Sequence, residues 1–262
     1  MKCLPTLLEL LIVFLFAVHL PVTVLAEDAD LAKLFQERNV QGTMMIVSLD
    51  DTIRYLYNEA RAEQRFLPAS TFKILNTLIA LDEGVIHDGN EVIPWDGHDK
   101  GWDAWNTDHT IETAFPASCV WFYQELATRV GNDAYLKQLH TIGYGNEETG
   151  TDVTTFWLQG DLKISALEQI ALLKRVYAED LPYAKEHIHL LKEIMRVERT
   201  PHYTVRAKTG RTSQVGWYVG YVETPEQIWV FAINIAMTKK KGNFRQDVHN
   251  MIMEALSIKG IL

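Results

Sequence analysis

Hydrophobic and polar positions change their period along this chain, and the changes divide it into a strand-rich beginning, a helical middle and a strand-rich end. Asp30 to Asn39 reads as a short amphipathic helix. Thr43 to Leu49 and Ile53 to Tyr57 are β-branched and aromatic runs split by Asp50-Asp51, the pattern of a hairpin. Thr71 to Leu81 is apolar on nearly every side and stops before Gly84, which suits a left-handed cap. Helical spacing returns over Ser118 to Arg129, Asp133 to His140, Ser165 to Tyr177 and Tyr183 to Met195. Three strands follow, at His202 to Ala207, Val215 to Glu223 and Ile228 to Ala236, before a last amphipathic helix from Asn243 to Ser257. This order predicts an α/β (α+β) domain. An antiparallel sheet of five to six strands is closed by the two ends of the chain, flanked by terminal helices, and carries a mostly helical insertion.

The first 26 residues follow a different grammar. Lys2 is a minimal positive start, Leu10 to Leu20 is almost wholly apolar, and Pro21 breaks the run before Val24-Leu25-Ala26. Small residues three and one before Glu27 complete the pattern of a secretory signal peptide. The competing reading, a retained anchor, is disfavoured because the apolar core falls short of the roughly 20 residues that span a bilayer. The expectation is therefore a signal peptide over 1–26 and one domain over 27–262, secreted to the periplasm and free of the membrane after cleavage.

Composition narrows the partners. With 25 Lys and Arg against 34 Asp and Glu, the net charge is -9, and a surface of that sign repels nucleic-acid backbones. The one basic run, Lys239-Lys240-Lys241, reads as a solvated loop. Cys3 departs with the signal peptide and leaves Cys119 alone, so no intramolecular disulfide is expected. His187 and His189 are the only close histidine pair and lack further ligands at metal spacing, so no metal is expected.

Candidate chemistry begins at Ser70-Thr71-Phe72-Lys73. A serine at a helix start lies near unpaired backbone N–H groups, and a lysine three residues on shares its face. Serine needs a nearby base to become a nucleophile. Ser-x-x-Lys arises by chance about once in a chain this long, and a capping serine with a solvated lysine is the plain alternative. Against that alternative stand Phe72, Ile74, Leu75, Leu78 and Ile79, which surround the lysine with apolar matter and demand a partner or a lowered pKa. Lys208-Thr209-Gly210 ends a predicted strand, where glycine lets backbone approach a ligand. That tripeptide is expected by chance in about one such chain in twenty. Ser118-Cys119-Val120 opens another predicted helix after Pro116, although Ser213-Gln214-Val215 repeats its form. Ser-x-x-Lys, a second serine and Lys-Thr-Gly, in that order, are the set shared by serine β-lactamases and penicillin-binding proteins.

Further residues make the resemblance specific. Ser118-x-Val120, Tyr144-Gly145-Asn146, Phe156-Trp157-Leu158-Gln159-Gly160 and Gly216-Trp217-Tyr218-Val219-Gly220 all resemble the class D, oxacillinase-type β-lactamases. So do Trp95-Asp96-Gly97, Trp105 to Thr110 and Tyr123 to Ala127, and the likeness covers essentially all of residues 27–262. The resemblance implies the penicillin-binding-protein/β-lactamase-like fold and hydrolysis of penicillin-type antibiotics through a serine acyl-enzyme, conferring resistance. It implies that Ser70 is the nucleophile and that Lys73 is carbamylated by CO2 (N6-carboxylysine) to act as general base, held by the Trp157 indole. Ser118 and Lys208 would relay a proton to the lactam nitrogen. Backbone N–H groups of Ser70 and Arg211 would form an oxyanion hole. Thr209 and Arg245 would hold the substrate carboxylate, Gly210 and Arg211 would also contact substrate, Val120 and Leu158 would form an apolar lid, and Tyr144 would be structural. No cofactor beyond CO2 or bicarbonate is implied, and small β-lactams are the expected partners of a monomer or homodimer.

One departure bears on substrate range: only four residues separate Gly210 from Val215, and Arg211 stands where relatives often carry an apolar side chain. Three other functions share parts of the pattern. A transpeptidase would carry Asn in place of Val120, and a β-lactam-sensing receptor domain would be tethered to membrane helices. A non-catalytic binding protein on the same fold would form no adduct with penicillin.

Overall fold

A computed structural model describes residues 27–237 and 243–262. The expected signal peptide over 1–26 and the Lys239-Lys240-Lys241 run lie outside the described residues. Six strands form one antiparallel sheet: β1 (Gly42–Ser48), β2 (Arg54–Tyr57), β3 (Arg196–Arg199), β4 (Thr204–Arg211), β5 (Val215–Glu223) and β6 (Ile228–Ala236). Their spatial order is β2-β1-β6-β5-β4-β3. The central pairing joins the two ends of the chain, Gly42 lying opposite Ile235 and Ser48 opposite Trp229.

Both faces of the sheet are covered, which is why β5 and β6 read as nearly unbroken apolar runs. Alternate residues still choose different cores. Met44, Ile46, Tyr218, Val222, Phe231 and Ile233 pack under α1 (Ala29–Arg38) and α9 (Phe244–Ile258). Met45, Val47, Trp217, Val219, Tyr221 and Val230 face the larger helical side. Asp28 caps α1 by accepting the Asp30 and Leu31 N–H groups, and Lys259, just past α9, contacts Asp28 at 2.6 Å. The first and last helices are thus pinned together.

The insertion holds α2 (Glu59–Glu63), α3 (Lys73–Asp82), α4 (Ile111–Ala117), α5 (Val120–Val130), α6 (Asn132–Ile142), α7 (Ala166–Ala178) and α8 (Lys185–Ile194). Helix α3 is buried from Lys73 through Leu81, as expected of a helix that is apolar all round. Ser165 and Glu168 form a reciprocal capping box that starts α7.

Several sequence expectations need correction. The predicted helix from Ser118 starts at Val120, because Ser118 is the left-handed cap (φ 54°) of the preceding α4. Pro116 lies inside that earlier helix instead of opening a new one. The strand predicted over His202 to Ala207 runs from Thr204 to Arg211, so Lys208-Thr209-Gly210 belongs to the strand instead of following it. Ser70 lies in a 3₁₀ turn, Ala69–Phe72, one step before α3. The helix predicted from Tyr183 begins at Lys185, and α2, α4 and β3 are absent from the sequence reading.

Candidate active site

The turn bearing Ser70 is held from two sides. The Ala69 N–H donates to the Trp157 carbonyl at 2.9 Å, and the Trp217 indole donates to the Leu67 carbonyl at 3.0 Å. Ala69 itself sits at φ 50°, a left-handed conformation that an alanine adopts only where its surroundings enforce it. Gly210 lets β4 come close to the same turn. A Cβ there would lie 2.7 Å from the Pro68 carbonyl, closer than real Cβ atoms come, and 3.0 Å from the Thr71 nitrogen. The strand edge carrying Lys208 to Arg211 therefore abuts the serine turn.

Four side chains form two lysine–serine pairs. Lys73 Nζ lies 3.0 Å from Ser70 Oγ, and Lys208 Nζ lies 2.9 Å from Ser118 Oγ and 3.0 Å from the Thr209 carbonyl. The Lys73 amine also sits 5.0 Å from the centre of the Tyr123 ring. Lys73 is wholly buried; burial pushes its amine down to about 7, with the Cys119 side chain pulling weakly the other way. Burial also lowers the Lys208 amine well below the usual lysine range, and the charges of Lys73 and Arg245 push it in the same direction. At neutral pH a large share of Lys73 is therefore uncharged and nucleophilic.

Aromatic rings keep this region dry. Phe72 packs against Phe156, Tyr144, Trp157 and Tyr135 at centroid distances of 5.2, 5.6, 5.8 and 6.0 Å. Trp157 is fully buried, and its indole Nε1 has no hydrogen-bond partner among the described residues. An indole N–H buried without an acceptor costs free energy on the scale of about 1–3 kcal/mol, so this one is poised to receive an acceptor. The Tyr144-Gly145-Asn146 element serves the loop that carries Trp157. Asn146 donates to the Asp161 carbonyl at 2.8 Å and accepts from the Lys163 N–H at 2.7 Å.

A cleft of about 390 Å³ opens from Lys208 and Thr209 toward Arg245, with Phe115, Tyr218 and His249 in its walls. Arg245, in the first turn of α9, reaches across to donate to the Pro116 carbonyl at 2.8 Å. Arg211 is exposed, and its guanidinium lies 5.9 Å from the Phe244 ring. Val120 opens α5 half-buried, and Leu158 packs half-buried against the helical core. Of the predicted residues, Lys208, Thr209 and Arg245 line this cleft; Ser118 joins it through Lys208, and the turn bearing Ser70 and Lys73 lies against the adjoining Gly210 end of β4. Sequence reasoning missed His249 and Tyr218 as wall residues. The available signal was His249 standing four residues after Arg245 on a predicted helix, hence on the same face.

Residues 32–256 match the penicillin binding protein transpeptidase domain. The chain is 39% identical to β-lactamase OXA-48 of Klebsiella pneumoniae over 225 residues, spanning 84% of this chain and 85% of that protein. It is 40% identical to β-lactamase OXA-20 of Pseudomonas aeruginosa over 211 residues, or 80% of this chain and 79% of that one. The crystal structure of FUS-1 (OXA-85), a class D β-lactamase from Fusobacterium nucleatum subsp. polymorphum, superposes with a TM-score of 0.86 at 32% identity. That alignment covers 90% of this chain and all of the other.

Proposed function

This chain belongs to the class D β-lactamases, serine hydrolases that act on the β-lactam ring, and from that membership we propose that it hydrolyses penicillin-type antibiotics through an acyl-enzyme on Ser70. The observation that carries the reading is the buried Lys73 amine 3.0 Å from Ser70 Oγ. Ser70 Oγ attacks the lactam carbonyl carbon, its proton passes to a base at Lys73, and the carbonyl oxygen takes up negative charge. Backbone N–H groups of Ser70 and Arg211 receive that charge. The lactam C–N bond then breaks, and its nitrogen takes a proton from Ser118, which Lys208 replenishes. Water adds to the ester and frees Ser70, releasing the ring-opened acid. Thr209 and Arg245 hold the substrate carboxylate, while Val120 and Leu158 shield Lys73.

Two features support Lys73 as a carbamate. A neutral amine attacks CO2, forming an N–C bond and releasing a proton, and an amine held near 7 is neutral often enough to do so. The unpartnered Trp157 N–H suits an anionic oxygen at the end of Lys73. When present, the carbamate supplies an anion able to accept the proton of Ser70 and then of the attacking water. No metal or organic cofactor is called for. Acting on an antibiotic that reaches the cell from outside fits cleavage of residues 1–26, location in the periplasm as monomer or homodimer, and β-lactam resistance.

Mass spectrometry with benzylpenicillin, alongside steady-state turnover, tests the reading. A transient adduct on Ser70 with rapid turnover is expected, and Ser70→Ala should lose both while folding normally. A persistent adduct without turnover would transfer the chain to transpeptidase or sensor chemistry, and no adduct at all to non-catalytic binding.

A further inference from the structure

Arg245 sits in the first turn of α9, where helices fray, so the bond from its guanidinium to the Pro116 carbonyl at 2.8 Å depends on how firmly the start of the side chain is held. Its task under the proposed function needs a fixed guanidinium at the far end of the cleft. Asn243 caps the helix only weakly, accepting the Gln246 N–H at 3.4 Å. One turn further along, His249 meets two strands at once. Its Nδ1 lies 3.1 Å from the Tyr218 hydroxyl of β5, and its Nε2 lies 3.4 Å from a Glu198 carboxylate oxygen of β3. The imidazole also stands edge-on to the Tyr218 ring, centroids 5.9 Å apart at 69°. The other Glu198 oxygen accepts the Tyr203 hydroxyl at 2.7 Å, so the carboxylate is itself held in place.

The imidazole is thus held on one side at hydrogen-bond distance from the Tyr218 hydroxyl and on the other beside the Glu198 carboxylate. The ring thereby fixes both the rotation of α9 about its axis and the position of α9 along the sheet. Residues four apart share a helix face, so whatever fixes His249 fixes where the Arg245 side chain starts. Tyr218 lies directly opposite Thr209 in the β4–β5 register, which ties the clamp to the strand that carries Lys208 and Thr209.

We propose that His249, clamped between Tyr218 and Glu198, is a positioning residue that sets Arg245 for the substrate carboxylate. The inference rests on the reading of Arg245 as a carboxylate clamp, and a double-mutant cycle separates the two claims. On benzylpenicillin, His249→Leu is expected to raise KM about three- to fivefold with little change in kcat, the scale of a misplaced charge-assisted hydrogen bond. Tyr218→Phe, which removes one hydroxyl and keeps the ring, should move KM the same way by a smaller factor. His249→Gln, able to donate and accept, should recover part of the loss. In an Arg245→Ala background His249→Leu should add almost nothing, because its effect runs through the absent guanidinium. The same factor in both backgrounds, an effect on kcat alone, or no change in KM overturns the proposal. Nitrogen-15 relaxation of the Arg245 Nε–H group on the full chain reads the same point without any substrate. The group should be ordered in the wild type and loosened in His249→Leu, and equal order in both would also overturn it. Arg245 ordered as described in a protein that fails to turn over benzylpenicillin would instead sink the proposed function and leave the clamp standing.

Discussion

Trp157 is bound to Ala69 through its carbonyl oxygen, which accepts the Ala69 N–H at 2.9 Å one residue before Ser70. One residue therefore braces the strained serine turn with its backbone and buries, with its side chain, an N–H that has no partner among the described residues. These two tasks can be separated by substitution. Trp157→Phe keeps the main-chain bond and most of the packing but removes the N–H. We expect it to fold, to lose activity in bicarbonate-free buffer, and to regain much of it in millimolar-scale bicarbonate. Rates with and without bicarbonate, with carbon-13 NMR of labelled bicarbonate on both proteins, check this. Rates indifferent to bicarbonate, with no carbamate resonance in the wild type, would remove the carbamate from the mechanism.

Lys73 imposes a pH signature on stability. Its folded value, about 7, lies below its ordinary value, so between roughly pH 7 and 10 the unfolded chain binds more protons than the folded one. Stability from this group therefore rises with pH across that window, and the full cost is felt below it. A shift of this size is worth on the order of 5 kcal/mol. Lys73→Met, of similar shape and never charged, should melt higher than bicarbonate-free wild type at pH 6, with the gap closing toward pH 10. Thermal unfolding at several pH values measures it, and a gap independent of pH would contradict the assignment. Activity of the wild type should fall below about pH 7 for the same reason, as the protonated amine can no longer take up CO2.

Arg245 and Lys208 should fail differently. Under the proposed function Arg245 would meet substrate only through a carboxylate present in both ground and transition states, so Arg245→Ala should raise KM roughly tenfold with kcat nearly kept. Lys208 lies 2.9 Å from Ser118 Oγ, so Lys208→Ala should lower kcat as well. Matching, KM-only effects from the two variants would argue against separate roles.

Gly210→Ala tests the close approach of β4 to the serine turn. Its Cβ would press on the Pro68 carbonyl and the Thr71 backbone nitrogen, neither of which can swing aside. We expect a loss of about 1–3 kcal/mol of stability and a larger proportional fall in kcat than in 1/KM. Unfolding curves and steady-state kinetics on the same preparation provide the comparison.

The sequence makes the long apolar elements legible and hides the short ones. Val215–Glu223 and Ile228–Ala236 emerge with their observed limits because both faces are buried and each run starts directly after a glutamine, Gln214 or Gln227. Arg196–Arg199 does not, since a four-residue polar edge strand has neither period nor burial to betray it. The break at Ser118 was obscured by Pro116, which suggests a helix start but here lies near a helix end. Ser70, Lys73 and Lys208 were visible because their chemistry is local in the sequence. The contacts of His249 with Tyr218 and Glu198 join three distant elements and appear only once the sheet has formed.

The pairing of β1 with β6 has a consequence for how the enzyme comes into being. Gly42 is made early and waits for Ile235, so the centre of the sheet closes only when the strand made last has emerged. Contacts so distant along the chain make for slow folding, because a large loop must be closed before they reward it. Strand β4, which brings Lys208 to Ser118 and sets Gly210 against the Ser70 turn, likewise follows the helices it must meet. A chain still being synthesised therefore carries Ser70, Lys73 and Ser118 without the assembled site that would make any of them react.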